Sequence, residues 1–196
     1  MINVVCIVEG DGEVAALPVL LRRICEWQTP AAPARIPVPI RVYKDRFLNR
    51  DAEFRRHLLL AAAKCEASGW VLVLLDADDD CPATRGAEIL RRAKEIVPHR
   101  NISVVLANRE YEAWFIAAAR SLHGLRNFTL DNPEDAATPE VPRNAKGWLA
   151  RRMSGAGYNE TTDQPAFSAR MDLQQAFDSS RSFRKLCSEW HKHHRN

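Results

Sequence analysis

The chain has 196 residues, 46% of them apolar, and a formal net charge of +3. That is the size of one domain, or of one domain with an appendage, with enough apolar content to bury a core. No apolar run reaches the roughly 18 residues that span a bilayer, and the run at residues 2–8 is too short for a signal peptide. The expected partners therefore exclude a membrane, and the expected compartment is the cytoplasm. Five cysteines, odd in number and scattered, have neither zinc-site nor dithiol spacing and read as reduced thiols. Cys81 stands beside an acidic run, whose charge would raise a thiol pKa.

The predicted elements alternate. Residues 2–8 form a short β-branched run that reads as a strand buried on both faces. Residues 13–27 follow as a helix with Val14, Leu17, Leu21, Ile24 and Trp27 near one stripe, and Pro18 must lie near its first turn or kink it. Residues 29–39 read as loop. Residues 36–43 form a second strand, irregular or at an edge because of Pro37 and Pro39. Residues 51–68 are the clearest helix, with Phe54, Leu58, Ala61, Ala62 and Cys65 at helical spacing and Gly69 as its stop. Residues 70–75 make the third strand. Thr84 is placed to cap the next helix, which ends before Pro98. Residues 102–107 make the fourth strand, and Asn108 is placed to cap a helix over residues 109–122, closed by Gly124.

Four βα repeats predict an α/β fold: a mainly parallel four-stranded sheet with helices on both faces. Residues 1–124 are expected to form this domain. Residues 125–196 form a basic, mostly helical C-terminal extension packed on it, with a loop over 127–143 and helices over 145–153, 169–178 and 183–194. The net positive excess lies in that tail: residues 141–196 hold 10 Lys and Arg against 5 Asp and Glu. Such a segment suits a nucleic-acid partner, and equally a solubilising helix. The candidate contacts are Lys146, Arg151, Arg152, Arg184 and Lys185.

Two of the buried strands end abruptly in carboxylates. The first runs into Glu9-Gly10-Asp11-Gly12 and the third into Asp76-Ala77-Asp78-Asp79-Asp80. In a parallel sheet the C-terminal strand ends form the crevice where ligands bind. Asp76 and Asp78, two apart, can point the same way; Asp79 and Asp80 then face outward, with Asp80 acting through a water. A run of like charges with no internal Lys or Arg calls for a cation, and Mg²⁺ needs only one to three carboxylates. The competing reading is an acidic turn before a helix N-terminus. Glu9 at a second strand end favours a site. Glu110 and Glu112 follow the fourth strand, and Glu112 is the favoured ligand for a second ion. Gly10 and Gly12 leave room for a close approach by backbone or phosphate. No Gly-Lys-Ser/Thr follows, which rejects a P-loop. Trp114, Phe115 and Trp148 read as core rather than as stacking platforms. His191, His193 and His194 read as a solvated end.

Several segments taken together carry a resemblance. They are Val8-Glu9-Gly10, the stretch 16–23, the acidic run through Pro82, the stretch 110–115, Lys146-Gly147-Trp148-Leu149, Asp163-Gln164-Pro165 and the stretch 182–186. In this order they are similar to the bacterial DUF4276 family, a TOPRIM-like group related to the TOPRIM domains of OLD-family nucleases. The resemblance implies a TOPRIM-like, Rossmann-like fold and Mg²⁺- or Mn²⁺-dependent phosphodiester chemistry on DNA or RNA with one or two ions. Glu9 would be the general acid/base or a ligand, Asp76 and Asp78 the ligands, and Glu112 the holder of a second ion. Lys146 is the candidate for neutralising developing charge. The resemblance also implies a separate ATPase encoded nearby, as in bacterial defence, and allows a homodimer. No nucleophilic tyrosine region or zinc module is present, which disfavours strand passage and priming. The alternatives are a non-catalytic metal- or nucleotide-binding partner of an ATPase, and a receiver-like or phosphatase-like domain using Asp76 as a phosphoryl acceptor.

Overall fold

The structure, a computed structural model, describes residues 1–66 and 69–194. β1 (Ile2–Val8) is the interior strand on which the sheet is built. β4 (Trp70–Asp76) lies on one side of it and β5 (Asn101–Ala107) lies beyond β4. The other side is shared by β2 (Ala34–Arg35), paired with the start of β1, and β3 (Ile40–Arg41), paired with its end. All pairings are parallel. The expected second strand is thus broken in two, making five strands in place of four. The break spans Pro37 and Pro39, which have no N–H to give a ladder.

The alternation of side chains divides the core into two halves. Val4, Cys6, Val8, Trp70, Leu72 and Leu74 face one layer of helices. This layer holds α1 (Asp11–Gln28), α5 (Ala113–Ala117) and α6 (Ala119–Leu122). It is completed by α7 (Ala145–Ala150), α8 (Glu160–Ser168), α9 (Leu173–Ser179) and α10 (Arg181–His194). Val5, Ile7, Val71, Val73 and Leu75 face the opposite layer. There lie α2 (Lys44–Asn49), α3 (Asp51–Lys64) and α4 (Pro82–Ile96). The α/β class and the helical C-terminal region are as expected. No helix among the described residues is long and apolar enough to cross a membrane.

Several expectations need correction. α1 begins at Asp11 and continues through Pro18; its buried stripe is Glu13, Leu17, Leu20, Leu21 and Ile24, while Trp27 is partly exposed. α3 ends at Lys64, ahead of Gly69; Ser68, the expected last residue, lies outside the described residues. Cys81, not Thr84, occupies the N-cap of α4, with Pro82 at the first helical position, where its missing N–H costs nothing. Hydrogen bonds from the Thr84 amide, the Thr84 hydroxyl and the Ala83 amide lower the Cys81 thiol pKa, the reverse of the expected direction. No helix starts at Arg109: that residue has φ +68 and α5 begins only at Ala113. The expected helix over residues 169–178 is α9 alone, preceded by an unexpected α8. Finally, the His-rich end is packed. His193 stacks on Trp70 and His194 on Trp190.

Residues beyond 124 supply the centre of one core layer. Phe167, Met171, Phe183, Leu186 and Trp190 are fully buried there. The Trp190 indole N–H donates to Thr29 Oγ1 at 3.0 Å, tying α10 to the end of α1. Trp190→Ala should cost about 3–5 kcal/mol. In urea denaturation the variant should still unfold in one transition with a lowered midpoint; an early, separate loss of helix signal would show that α10 is an independent appendage.

Candidate functional site at the strand ends

The parallel register brings the acidic ends together. Ile7 pairs with Val73, so Glu9 continues level with Leu75, one residue from Asp76. Asp76 pairs with Ala107, and the turn after β5 returns over it: the Tyr111 amide donates to Asp76 Oδ1 at 2.7 Å. Glu112 follows at once and is fully buried. Glu13, in the first turn of α1, is 4% exposed and belongs to the same group. Glu9, Glu112 and Glu13 thus lie close enough to Asp76 to disfavour its ionised form.

This group is short of partners. Glu9 Oε2, Glu13 Oε2 and Glu112 Oε2 are buried without a hydrogen bond, as is Gln164 Oε1. Burial pushes Glu9 up to about 7, opposed by Lys44 and Lys146 and reinforced by Glu13 and Asp78. Burial likewise pushes Glu112 up to about 7 against the pull of Lys146 and a hydrogen bond from Tyr158. Asp76 is raised well above the ordinary carboxylate range by burial, then by Glu112, Glu9 and Glu13. For Lys146, burial disfavours the charge, but Glu112, Glu160 and Asp76 more than offset this and hold its pKa above the lysine norm. Its Nζ lies 3.1 Å from Glu160 Oε1.

The remaining acids of the second tip go elsewhere. Asp78 has φ +50, a left-handed conformation that Asp tolerates better than most residues. Its amide donates to the Arg109 carbonyl at 2.9 Å, and Arg109 Nη1 donates back to the Asp78 carbonyl at 3.0 Å. The chain therefore turns sharply after Ala77. Asp78 pairs with Lys44, whose Nζ also donates to the Asp76 carbonyl at 2.6 Å. Asp79 pairs with Arg109 and Arg143, and Asp80 lies 3.7 Å from Arg85. The cations missing inside the acidic run come from distant segments. Asp78 remains close enough to Glu9 to raise its pKa; Asp80 is exposed on an ion pair of its own.

The C-terminal helices close the site. Glu112 Oε1 accepts from Tyr158 Oη at 2.9 Å and from Gln164 Nε2 at 3.1 Å. Asp163 accepts the Asn159 amide at 2.7 Å and pairs with Arg126, fixing the start of α8 that carries Gln164. Glu110 Oε2 accepts the Lys146 amide at 2.9 Å, which seats α7 and aims Lys146. The space at the two glycines is filled by the chain itself. A Cβ on Gly10 would meet Glu13 Oε2 at 2.1 Å, and one on Gly12 would meet Gln164 Oε1 at 2.2 Å. Beside them a cavity of about 590 Å³ is lined by Gly10, Gly12, Arg41, Lys146, Asn159 and Thr161, among others.

The expected nucleic-acid contacts divide. Lys146 is at the site. Arg152 stacks over Trp148 and pairs with Asp135, while Arg151 is exposed at the end of α7. Arg184 donates to the carbonyls of Phe177 and Asp178, and Lys185 pairs with Glu189 on its own helix. Trp114, Phe115 and Trp148 are buried core, as expected. Sequence reasoning missed Glu13, Lys44 and Tyr158. Only Glu13 left a signal: an acid at the head of the stripe Leu17, Leu20, Ile24. Among the described residues, no group of three or more acids, histidines or cysteines is drawn tightly enough to hold a metal ion as it stands.

A parallel α/β sheet whose strand ends bury an under-partnered set of carboxylates defines a Rossmann-like protein with an acidic strand-end site. The chain matches the family described as "Domain of unknown function (DUF4276)" over residues 8–190, and it belongs to that family. No curated protein and no solved structure matches it.

Glu112 offers a direct test of the electrostatics. Its folded-state pKa of about 7 exceeds the ordinary 4.5, so the unfolded chain gives up this proton first as pH rises. The contribution of Glu112 to stability is therefore present below about pH 4.5 and lost as pH climbs to about 7. Glu112→Gln should flatten that fall in a thermal-melt series across pH, and parallel wild-type and variant curves would disprove it. At Gly12, substitution by Ala should cost about 1–3 kcal/mol by pushing α8 off α1, read as a lowered urea midpoint.

Proposed function

We propose that the protein is a divalent-cation-dependent phosphodiester hydrolase acting on nucleic acid, with a TOPRIM-type site. One observation carries this reading: carboxylates from the ends of β1 and β4, from α1 and from the turn after β5 face one another electrostatically, and Glu9, Glu13 and Glu112 each bury an oxygen without a hydrogen-bond partner among the described residues. Buried anionic oxygens without donors are costly, and a cation is the natural compensator. An all-oxygen donor set of Glu9, Asp76, Glu112 and Gln164 suits Mg²⁺ or Mn²⁺ rather than a softer metal. When bound, such an ion would polarise the phosphoryl group and favour deprotonation of an attacking water.

The chain's own residues supply the rest. Glu9, held at about 7, can take or return a proton at neutral pH. Lys146, held charged by its acidic surroundings, neutralises negative charge developing on the phosphate. Tyr158 and Gln164 fix the Glu112 carboxylate, and Asp163 and Glu110 act one step further out by seating α8 and α7. The reading places the protein in the cytoplasm, working with an ATPase partner in bacterial defence.

A second reading has its own support. Lys44 and Lys146 already counter part of the acidic charge, and among the described residues no three acids, histidines or cysteines stand together in advance of an ion. Those facts favour a metal- or nucleotide-binding regulator of an ATPase that hydrolyses nothing. Incubation of plasmid and single-stranded DNA and RNA with Mg²⁺ or Mn²⁺ separates the two. Under the hydrolase reading wild type cuts, and Glu9→Gln and Asp76→Asn cut more slowly by about 10² or more. Mn²⁺-dependent thermal stabilisation without any product would leave only the regulator, and variants that cut as well as wild type would end the assignment.

A further inference from the structure

The turn from β3 into α2 presents a surface that the carboxylate chemistry does not use. The β1–β3 register pairs Val8 with Arg41, so residues 41–44 run beside Glu9 at the same rim. Alternate residues diverge along this turn. Val42 is buried, while Arg41 lines the 590 Å³ cavity and pairs with Asp11 at 2.9 Å. Lys44 turns inward to Asp76 and Asp78. Tyr43 turns outward and is 62% exposed, an unusual position for a large ring next to a buried charged site. Two guanidinium groups lie over the ring, Arg41 Cζ at 5.0 Å and Arg46 Cζ at 5.3 Å from its centroid, so a base stacking there would displace one of them. Arg46 has no carboxylate partner among the described residues.

Exposed aromatic rings with arginines alongside are the means by which proteins hold unpaired bases, because every base has a face to stack and every linkage a phosphate to pair. Paired bases in a duplex keep their faces covered and cannot use such a ring. The cavity beside Arg41 also holds Lys146; there the two cations pair with Asp11 and Glu160, so a phosphate entering it would take the place of those exposed carboxylates on Arg41 and Lys146.

We propose that this face binds an unpaired nucleotide of single-stranded nucleic acid, its base stacked on Tyr43 against Arg41 and Arg46 and its phosphate in the adjoining cavity. This rests on the nucleic-acid reading above and narrows its substrate to single strands or frayed ends. Tyr43 is a binding residue and takes no part in bond breaking.

The test is fluorescence anisotropy with Ca²⁺ as the divalent ion and four labelled probes: oligothymidine, oligouridine, an abasic oligomer of equal length and a blunt duplex. Wild type should bind the two base-bearing strands more tightly than the abasic strand or the duplex. Tyr43→Ala should weaken binding of those two strands about tenfold and leave the abasic strand and duplex unchanged. Tyr43→Phe, which keeps the ring, should bind as wild type does. Comparison of oligothymidine with oligouridine tells DNA from RNA preference. Equal binding of base-bearing and abasic strands, no binding at all, or indifference to Tyr43→Ala would each overturn the inference. Cleavage is read separately with Mg²⁺. Binding through Tyr43 without cleavage would sink the hydrolase and keep the stacking site, whereas cleavage that ignores Tyr43→Ala at limiting substrate would do the reverse.

Discussion

Like charges buried together make the constraint around which this molecule is arranged. Glu9, Asp76 and Glu112 lose water on folding, Glu13 adds to the cost of ionising all three, and Glu9 and Glu112 add to that of Asp76. The fold bears this with a small number of compensations: Lys146 and Lys44 as counter-charges, the Tyr111 amide on Asp76, and Tyr158 and Gln164 on Glu112. Most of these come from outside the sheet. Residues 125–194 are consequently part of the site as well as part of the core, and the same α8 that packs Phe167 inward delivers Gln164 to Glu112. A hydrophobic substitution in that layer would act on the hydrogen bonds to Glu112 through the position of α8.

The division of labour within the second acidic run has a backbone cause. Asp78 and Arg109 both adopt left-handed conformations, each costing roughly 1–3 kcal/mol, and their reciprocal hydrogen bonds hold them there. The turn sends Asp76 inward and Asp78, Asp79 and Asp80 outward to basic partners. The rim thereby gains an acidic interior and a surface where acids and bases alternate. On that surface Tyr43 is exposed, with the guanidinium groups of Arg41 and Arg46 over its ring.

The fold was legible where hydrophobic periodicity was strong. β1, β4 and β5 stand at or within one residue of their expected limits, because runs such as Val71-Leu72-Val73-Leu74-Leu75 have no other way to hide both faces. It was less legible where local signals competed. Asn108 looked like a helix cap, but the chain spends residues 109–112 clasping Asp78 and Asp76 before α5 can begin. The histidines at the end looked solvated because nothing local shows that Trp70 lies beneath His193. The Asp163-Gln164 pair stood out without a rationale, and the rationale lies wholly in contacts with Glu112, Asn159 and Arg126.

The amino-acid sequence alone determined the α/β class, the parallel sheet and the presence of carboxylates at the ends of buried strands, since each follows from the order of apolar runs and of the residues that end them. It also contained enough family motif to indicate DUF4276 membership. Only the tertiary structure decided which carboxylates meet and which are drawn off to arginines, that Glu13 joins them, and that Lys44, Tyr158 and Gln164 hold them. The physical reason is that a side chain's charge state and partners depend on what is packed within a few ångströms of it. Those neighbours come from segments far apart along the chain.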